Sequence, residues 1–213
     1  MILPTFHHER ALLRDGYFPV GVDEVGCGCL AGPVVTAAMH LPLQSRLPEV
    51  RDSKLLSPKQ RERLAAVFAE RGYRWTIGAA SVEEIDRLHI RQATYLAMRR
   101  AITAFLDAGY ATGSAYALID AWTLPDLPIP QRGIIRGDAL VKSIAAASIV
   151  AKVARDRLMC ELHEQYPAYG FAIHKGYATA VHRAAILQHG LTPLHRRSFC
   201  DSFVSLPGMR AVK

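Results

Sequence analysis

Two adjacent carboxylates, Asp23 and Glu24, end an apolar run and lie just before three glycines at positions 26, 28 and 32. Burying two carboxylates side by side is unfavourable, because they lose hydration and repel each other. A divalent cation such as Mg²⁺ or Mn²⁺, which prefers hard oxygen ligands, would offset this cost. The alternative is a hairpin whose turn carries two solvated acids. This stretch alone leaves both interpretations open.

The 213 residues suit one domain, or one domain with a small appendage. No apolar run approaches the roughly 20 residues that a membrane-spanning helix requires, and residues 1–16 lack the apolar core of a signal peptide. We therefore expect a soluble, cytoplasmic, monomeric protein with no membrane partner. The four cysteines form no C-x-x-C pair. A chain of this size needs no disulfide, so we expect reduced thiols.

Positive charge is concentrated in the last part of the chain. The net charge is +7, and residues 1–131 contain 14 Lys and Arg and 14 Asp and Glu. Residues 132–213 contain 12 Lys and Arg against 5 Asp and Glu. A basic half beside an acidic cluster favours a nucleic acid held over a metal site. A solvated basic surface is the alternative. The nine histidines lack metal-ligand spacing, and we expect them at the surface.

Hydrophobic periodicity predicts a mixed α/β protein. The predicted strands are 17–25, 33–42, 73–80 and 115–119. Two predicted helices start after Ser57 and after Ser81, and three more cover 91–108, 140–166 and 179–189. Ser57 with Gln60, and Ser81 with Glu84, form capping boxes at helix starts. The first two strands form a hairpin around the glycine-rich turn. Residues from about 155 onward form a helical appendage that ends in a basic tail at 195–199.

Two further acids stand at the ends of predicted elements. Asp120 ends a buried strand, as Asp23 does, and Asp138 precedes the longest helix. If the two strands are neighbours, Asp23 and Asp120 lie at the same sheet edge. Glu24 is a weaker candidate, because successive residues of a strand point to opposite faces. Asp138 taken alone fits an ordinary helix cap. Three or four acids on one edge indicate a two-metal phosphoryl-transfer site.

Eight short segments follow one another in a specific order along nearly the whole chain. They are Gly21-Val22-Asp23-Glu24-Val25-Gly26, Asp52-Ser53-Lys54, Leu118-Ile119-Asp120, Gly137-Asp138, Ser143-Ile144-Ala145-Ala146-Ala147-Ser148-Ile149-Val150-Ala151-Lys152, Tyr169-Gly170-Phe171, His174-Lys175-Gly176-Tyr177 and His195-Arg196-Arg197-Ser198-Phe199. Together they make the sequence resemble bacterial ribonuclease HII. The resemblance implies a ribonuclease H-like mixed sheet flanked by helices, with a catalytic domain at 1–154 and a substrate-binding helical segment at 155–213.

The resemblance also implies an endonuclease that needs Mg²⁺ or Mn²⁺ at a two-metal site. Such an enzyme hydrolyses RNA in RNA–DNA hybrids and incises duplex DNA on the 5′ side of an embedded ribonucleotide, leaving a 5′-phosphate, in ribonucleotide excision repair and primer removal. The implied metal ligands are Asp23, Glu24, Asp120 and Asp138. The implied substrate contacts are Gly26, Cys27 and Gly28 to the 2′-hydroxyl, Tyr177 to a sugar, and Lys54, Lys152 and Arg155 to phosphates.

The sequence departs from the family pattern at the turn. Cys27 stands where the family has an arginine between two glycines, and Cys29 replaces the usual proline. Ala121-Trp122 replaces a Gly-Asn pair. The backbone of the turn is retained, but the guanidinium, which is well suited to phosphate, is lost. A contact to a charged group contributes roughly 1.5–3 kcal/mol. We therefore expect reduced activity.

Two other functions remain open at this point. A non-catalytic binder of RNA–DNA hybrids would keep the fold and the basic surface and would bind without cleaving. The presence of all four acids argues against it. A DNA exonuclease would also use four acids, and it would digest DNA that contains no ribonucleotide.

Overall fold

One mixed sheet of five strands forms the centre of the computed structural model, which describes residues 3–111 and 113–204. The strands are β1 (Tyr17–Val25), β2 (Val34–Met39), β3 (Trp75–Ala80), β4 (Ser114–Asp120) and β5 (Gln131–Ile134). Their order across the sheet is β3-β2-β1-β4-β5. Strand β1 pairs antiparallel with β2 and parallel with β4. The predicted hairpin is thus confirmed, although its second strand is shorter than 33–42.

Helices flank the sheet and follow it in the chain. They are α1 (His7–Arg14), α2 (Pro58–Glu70), α3 (Val82–Asp107), α4 (Gly137–Leu140), α5 (Lys142–Gln165), α6 (Phe171–His174), α7 (Ala180–His189) and α8 (Arg197–Val204). The predicted mixed sheet with flanking helices and further helices at the C-terminal side is confirmed. Among the residues that the structure describes, no helix is long and apolar enough to cross a membrane.

Alternation along β1 decides which side chains face which helix. Val20 and Val22 pack in one apolar cluster with α3, whereas Gly21 between them lies against α5. Continuing the alternation places Asp23 on the α5 side of the sheet and Glu24 on the α3 side. The separation of these two acids that the sequence predicts therefore has a structural basis.

Capping boxes begin helices α2 and α3 as predicted. The Ser57 hydroxyl accepts a hydrogen bond from the backbone N–H of Gln60, and Ser81 forms the same arrangement with Glu84. Helix α3 extends from Val82 rather than from residue 91. It contains one break at His89, where φ is 61° and ψ is 156°. The predicted capping box and the predicted helix at 91–108 therefore belong to one kinked element.

Helix α1 was not predicted, and it stabilises the start of α5. Glu9 is buried, and its Oε1 accepts a hydrogen bond from the backbone N–H of Ser143 at 2.8 Å. The first N–H groups of a helix have no partner within the helix and carry partial positive charge. A carboxylate from α1 therefore caps the helix that packs on β1.

Helix α5 runs without interruption through the predicted domain boundary at 154/155. The elements after it form an apolar cluster of their own, in which Met159, Tyr169 and Phe171 pack with Leu30 and Ala31. The C-terminal segment is therefore attached to the sheet through a shared helix and through the loop after β1. The division at 155 stays a prediction, and residues 205–213 lie outside the described residues.

Gly21 allows β1 and α5 to approach closely. A Cβ atom at Gly21 would lie 2.2 Å from the backbone carbon of Ser143 and 2.5 Å from the backbone nitrogen of Ile144. These distances are far inside van der Waals contact, and the neighbouring atoms belong to the helix backbone. Any larger residue would therefore push the helix away from the strand that carries Asp23.

We expect Gly21→Ala to lower the free energy of unfolding by roughly 3 kcal/mol or more, because overpacking against backbone has no local relief. Urea unfolding followed by circular dichroism measures this. Gly113→Ala is the matched control, since a Cβ there meets open space. Equal stabilities of the two variants would contradict the close packing of β1 and α5.

Candidate active site

Three aspartates meet at one edge of the sheet. Asp120 ends β4, and Asp23 lies two residues before the end of its parallel neighbour β1. The two strands pair in register at Val22 and Ile119. Asp120 Oδ1 accepts a hydrogen bond from the backbone N–H of Gly137 at 2.6 Å, which holds the short helix α4 against this edge. Each of Asp23, Asp120 and Asp138 offers a carboxylate oxygen, and these oxygens lie within 4.8 Å of one another.

Asp138 was predicted to open the long helix. It lies instead in α4, a single turn separated from α5 by Val141. The break allows Asp138 to face Asp120 rather than to cap the long helix.

The electrostatics of the cluster favour a bound cation. Burial raises the pKa of Asp23 well above its usual value, and the nearby charges of Glu24, Asp120 and Asp138 raise it further. Burial, followed by the charge of Asp138, also raises the pKa of Asp120. Lys54 Nζ lies 3.3 Å from Asp138 Oδ2. Clustered carboxylate oxygens suit a hard divalent cation. The three aspartates can therefore hold a divalent cation.

Glu24 lies beside this cluster but outside it. Its Oε2 is buried and has no hydrogen-bond partner among the described residues. Burial, followed by repulsion from Asp120, raises the pKa of Glu24 to about 7. Buried polar atoms normally have a partner, and a bound ligand or cation would supply the contact that this oxygen lacks. Glu24 thus remains a candidate ligand from the opposite face of β1.

Two buried arginines hold the turn that follows β1. The Arg155 guanidinium donates to the carbonyls of Ala31, Pro33 and Lys175 at 2.8–3.0 Å. The Arg196 guanidinium donates to the carbonyls of Gly32 and Cys27 at 2.8–2.9 Å. Both side chains are fully buried, and burial lowers the pKa of Arg196 to about 10.

These arginines correct two predictions from the sequence. The prediction that Arg155 contacts phosphates is wrong, because its guanidinium is inaccessible and its donors are used by carbonyls. The segment 195–199 is not a basic tail, because His195 and Arg196 are buried and helix α8 begins at Arg197. A sequence shows that an arginine is present but not whether it faces solvent or carbonyl oxygens.

The turn at residues 26–28 has backbone N–H groups without a partner in the described part of the chain. No hydrogen bond within the described ranges uses the N–H groups of Gly26, Cys27 or Gly28. Gly26 has a φ of +94°, and the Arg155 side chain fills the space of its missing Cβ. A Cβ at Gly28 would meet nothing within 4 Å. The first glycine is thus required by the fold, whereas the second leaves open space in front of free donors.

The Cys27 thiol contacts two neighbouring side chains. Its Sγ lies 3.4 Å from the hydroxyl of Thr94 on α3 and 3.7 Å from Glu24 Oε1. Burial, followed by the charge of Glu24, raises the pKa of this thiol to about 12. The thiol is therefore protonated at neutral pH and is not a nucleophile. All four cysteines are free, as predicted. Thr94 was missed because nothing in its helical context distinguishes it from a packing residue.

Tyr177 and Lys152 border the same cleft. Its lining comprises Asp23, Glu24, Val25, Gly26, Cys27, Ser53, Lys54, Lys152 and Tyr177. Lys152 Nζ lies 5.1 Å from the centre of the Tyr177 ring and 2.8 Å from Asp156 Oδ1. The backbone of Tyr177 pairs with Cys29 in a single bridge. The tyrosine is therefore fixed directly to the glycine-rich turn, and the residue is 38% exposed.

Three histidines are buried, which corrects the prediction that the histidines lie at the surface. His182 is fully inaccessible, His195 is almost so, and His174 is nearly as well covered. They cluster behind Tyr177 among α6, α7 and the segment before α8. Their spacing in the sequence gave no sign of this, because the contacts join separate elements.

The comparisons with known proteins agree with this geometry. The family model for ribonuclease HII matches residues 20–202. A ribonuclease HII of Desulfitobacterium hafniense is 50% identical over 192 residues, covering 90% of this chain and 72% of the relative. A ribonuclease HII 1 of Methylibium petroleiphilum is 54% identical over 179 residues, covering 84% and 88%.

The chain belongs to the ribonuclease HII family. The ribonuclease HII of Archaeoglobus fulgidus, solved in complex with PCNA, is 26% identical with a TM-score of 0.65, covering 84% of this chain and 93% of that chain. The ribonuclease H-like fold and the enzyme class expected from the sequence are therefore confirmed. The match spans all four acids, the turn and Tyr177.

The raised pKa of Glu24 predicts how the free energy of unfolding depends on pH. Its pKa of about 7 in the folded protein exceeds its usual value, so the folded state holds a proton that the unfolded state releases between about pH 4.5 and 7. The contribution of this group to the free energy of unfolding is therefore fully present below about pH 4.5 and is lost as the pH rises to about 7. In EDTA, Glu24→Gln should match the parent near pH 4.5 and exceed its unfolding free energy by up to about 3 kcal/mol at pH 8.

Urea unfolding at a series of pH values measures this difference. Glu161→Gln, on an exposed part of α5, is the matched control and should follow the parent at every pH. A Glu24→Gln profile that runs parallel to that of the parent would show that Glu24 is not held in a charge-unfavourable environment.

Proposed function

We propose that this protein hydrolyses the RNA strand of RNA–DNA hybrids and incises duplex DNA on the 5′ side of a single embedded ribonucleotide, leaving 3′-hydroxyl and 5′-phosphate ends. The observation that supports this most strongly is the position of the turn at 26–28. Gly26 and Cys27, whose N–H groups have no partner among the described residues, line the cleft that also contains Asp23 and Glu24. Family membership supplies the reaction class.

The acids fit a site for two Mg²⁺ or Mn²⁺ ions. Asp23, Asp120 and Asp138 offer convergent oxygens, and Glu24 adds a buried oxygen without a partner. Bound divalent cations would lower the pKa of a water molecule and stabilise charge on the leaving 3′-oxygen. The protein's own contribution is to fix the Asp23 and Asp120 carboxylates before substrate arrives. The hydrogen bond from Gly137 to Asp120 and that from the Glu24 N–H to Asp23 at 2.8 Å do so.

The turn is the proposed reader of the 2′-hydroxyl. This group distinguishes RNA from DNA at a single position, and it both donates and accepts hydrogen bonds. The N–H groups of Gly26, Cys27 and Gly28 can donate to it, and the absence of a side chain at Gly28 leaves room for a sugar. Because the turn would contact the sugar through its own backbone groups only, this recognition does not depend on which base the nucleotide carries.

Tyr177 and the lysines are the proposed contacts to the rest of the duplex. The partly exposed ring of Tyr177 is available to pack on a sugar beyond the RNA–DNA junction. The Lys54 side chain is 80% exposed and can move from Asp138 to a phosphate. The Lys152 side chain is only 16% exposed and is paired with Asp156, which makes it a weaker phosphate contact than Lys54. The basic surplus of residues 132–213 favours nucleic acid over neutral substrates.

Incision of a duplex with one embedded ribonucleotide tests the proposal. We expect Mg²⁺- or Mn²⁺-dependent cleavage on the 5′ side of the ribonucleotide. Asp23→Asn should lower the rate by more than the roughly 10–100-fold that altering a supporting residue of a metal site costs. Asp126→Asn, in an exposed loop, is the matched control. Electrophoresis of end-labelled strands measures the products.

Three outcomes would contradict the proposal. Binding of hybrids without cleavage at any metal concentration would indicate a non-catalytic binder. Digestion of ribonucleotide-free DNA would indicate an exonuclease. Full activity of Asp23→Asn would exclude the aspartate cluster as the metal site.

The substitution at position 27 gives a separate prediction. An arginine is too long for the space that Cys27 occupies beside Thr94, so it would extend across the cleft toward a phosphate. We expect Cys27→Arg to raise kcat/KM for incision by roughly tenfold or more, the effect of one contact to a charged group. Because added salt screens such a contact, the gain should shrink as the salt concentration rises.

Cys27→Ser is the control for this comparison, since it keeps the size of the side chain and adds no charge. If Cys27→Arg and Cys27→Ser have the same kcat/KM at low salt, the missing guanidinium does not limit this enzyme.

A further inference from the structure

A buried chain of imidazoles connects the C-terminal segment to Tyr177. His182 stacks on His174 with ring centres 4.3 Å apart, and its Nε2 lies 3.1 Å from Nε2 of His195. His195 in turn contacts Thr192 through Nδ1. At the other end, Nδ1 of His182 lies 2.9 Å from the carbonyl oxygen of Tyr177.

The neighbours fix where each proton resides. The backbone N–H of Thr192 donates to His195 Nδ1 at 3.0 Å, so the proton of a neutral His195 is on Nε2. The carbonyl of Tyr177 can only accept, so His182 carries its proton on Nδ1 and receives the His195 proton at Nε2. A single direction of donation, from Thr192 through His195 and His182 to Tyr177, satisfies every group with neutral rings.

His174 reinforces the same end of the chain. Its Nδ1 accepts from the backbone N–H of Gly176 at 3.2 Å, and its Nε2 donates to the carbonyl of Tyr169. Two imidazoles thus bond to the backbone at adjacent positions, Gly176 and Tyr177. Both hydrogen bonds therefore hold the short segment that carries the tyrosine.

This segment has a conformation that needs support. Lys175 has a φ of 53° and Gly176 a φ of 82°, so two consecutive residues are left-handed. The left-handed region is unfavourable for a residue with a Cβ, such as lysine. A non-glycine residue persists there only when its surroundings determine its conformation. The histidines contact the segment on one side, and Arg155 binds the Lys175 carbonyl at 2.8 Å.

Other functions for the cluster do not fit the geometry. Two Nε2 atoms 3.1 Å apart share a proton, and within the described chain the group of side chains able to hold a metal ion is the aspartate cluster. The rings of His182 and His195 are inaccessible, so neither can exchange a proton with a substrate. The cluster acts through the residues that it bonds.

We propose that His182 is a positioning residue for Tyr177: its Nδ1 proton, directed by His195, fixes the Tyr177 carbonyl and thereby holds the tyrosine ring at the angle that meets the substrate sugar. The proposal rests on the substrate contact assigned to Tyr177 under the proposed function. It assigns the C-terminal segment a role in orienting a binding residue, in addition to the charge that it contributes.

The proton positions are tested without substrate. Long-range ¹⁵N–¹H correlation spectra of the unaltered protein distinguish the two neutral forms of each histidine. We expect the Nδ1–H form at His182, which is the less common form in solution, and the Nε2–H form at His195. An Nε2–H form or a charged ring at His182 at neutral pH would overturn the proposal whether or not the enzyme cleaves.

The positioning role is tested by steady-state incision of a duplex with one ribonucleotide. We expect His182→Leu to raise KM about 3- to 10-fold, the effect of one lost hydrogen bond, with little change in kcat. His182→Asn should restore KM, because the asparagine amide can replace Nδ1 as donor to the Tyr177 carbonyl. In a Tyr177→Ala background, His182→Leu should change KM by less than about twofold, because the effects of substituting two coupled residues are not additive.

The outcomes separate this inference from the proposed function. A parent enzyme that does not incise refutes the proposed function, whereas the spectra still decide the hydrogen-bond chain. A parent that incises, with His182→Leu raising KM equally in both backgrounds, shows that the histidine supports only the fold. An unchanged KM in His182→Leu overturns the positioning role directly.

Discussion

Like charges that are crowded at the shared end of β1 and β4 set the requirements for the rest of the site. Burial and the nearby carboxylates raise the pKa of Asp23 and of Asp120, so the arrangement would relax apart if nothing held it. The scaffold gives each carboxylate one hydrogen-bond donor: the Glu24 N–H, the Gly137 N–H and Lys54, respectively. The positions of Asp23 and Asp120 are therefore fixed by backbone donors, whereas Asp138 is held by the Lys54 side chain.

The second requirement is a turn with fixed carbonyls, and buried guanidinium groups meet it. Arg155 and Arg196 have no carboxylate partner among the described residues and bond instead to five carbonyl oxygens of the turn and of Lys175. The planar fork of arginine suits several acceptors at once, which lysine does not. The N–H groups at 26–28, by contrast, have no partner among the described residues. The C-terminal segment is thus part of the site, although none of its residues joins the metal cluster.

Much of this site could be predicted from the sequence, because its acids stand at the ends of elements. Asp23 and Asp120 terminate apolar runs, and the alternation of a strand already separates Glu24 from Asp23. The capping boxes at Ser57 and Ser81 are local signals and are correct. Arg155 and the buried histidines could not be predicted, because their role is set by contacts between residues far apart in the sequence. Composition assigns such residues to the surface, and only the packed structure shows the carbonyls that they bind.

Backbone and side chain have separate roles at position 27. The carbonyl of Cys27 is fixed by Arg196, and the conformation of Gly26 is fixed by Arg155, so neither depends on the thiol. The thiol itself turns toward Thr94 and Glu24. The support of the turn is therefore independent of the side chain at position 27. Under the proposed function, the backbone at position 27 contributes to the discrimination of RNA from DNA, whereas an arginine side chain at that position would attract phosphate. The discrimination can therefore persist in an enzyme that lacks this attraction.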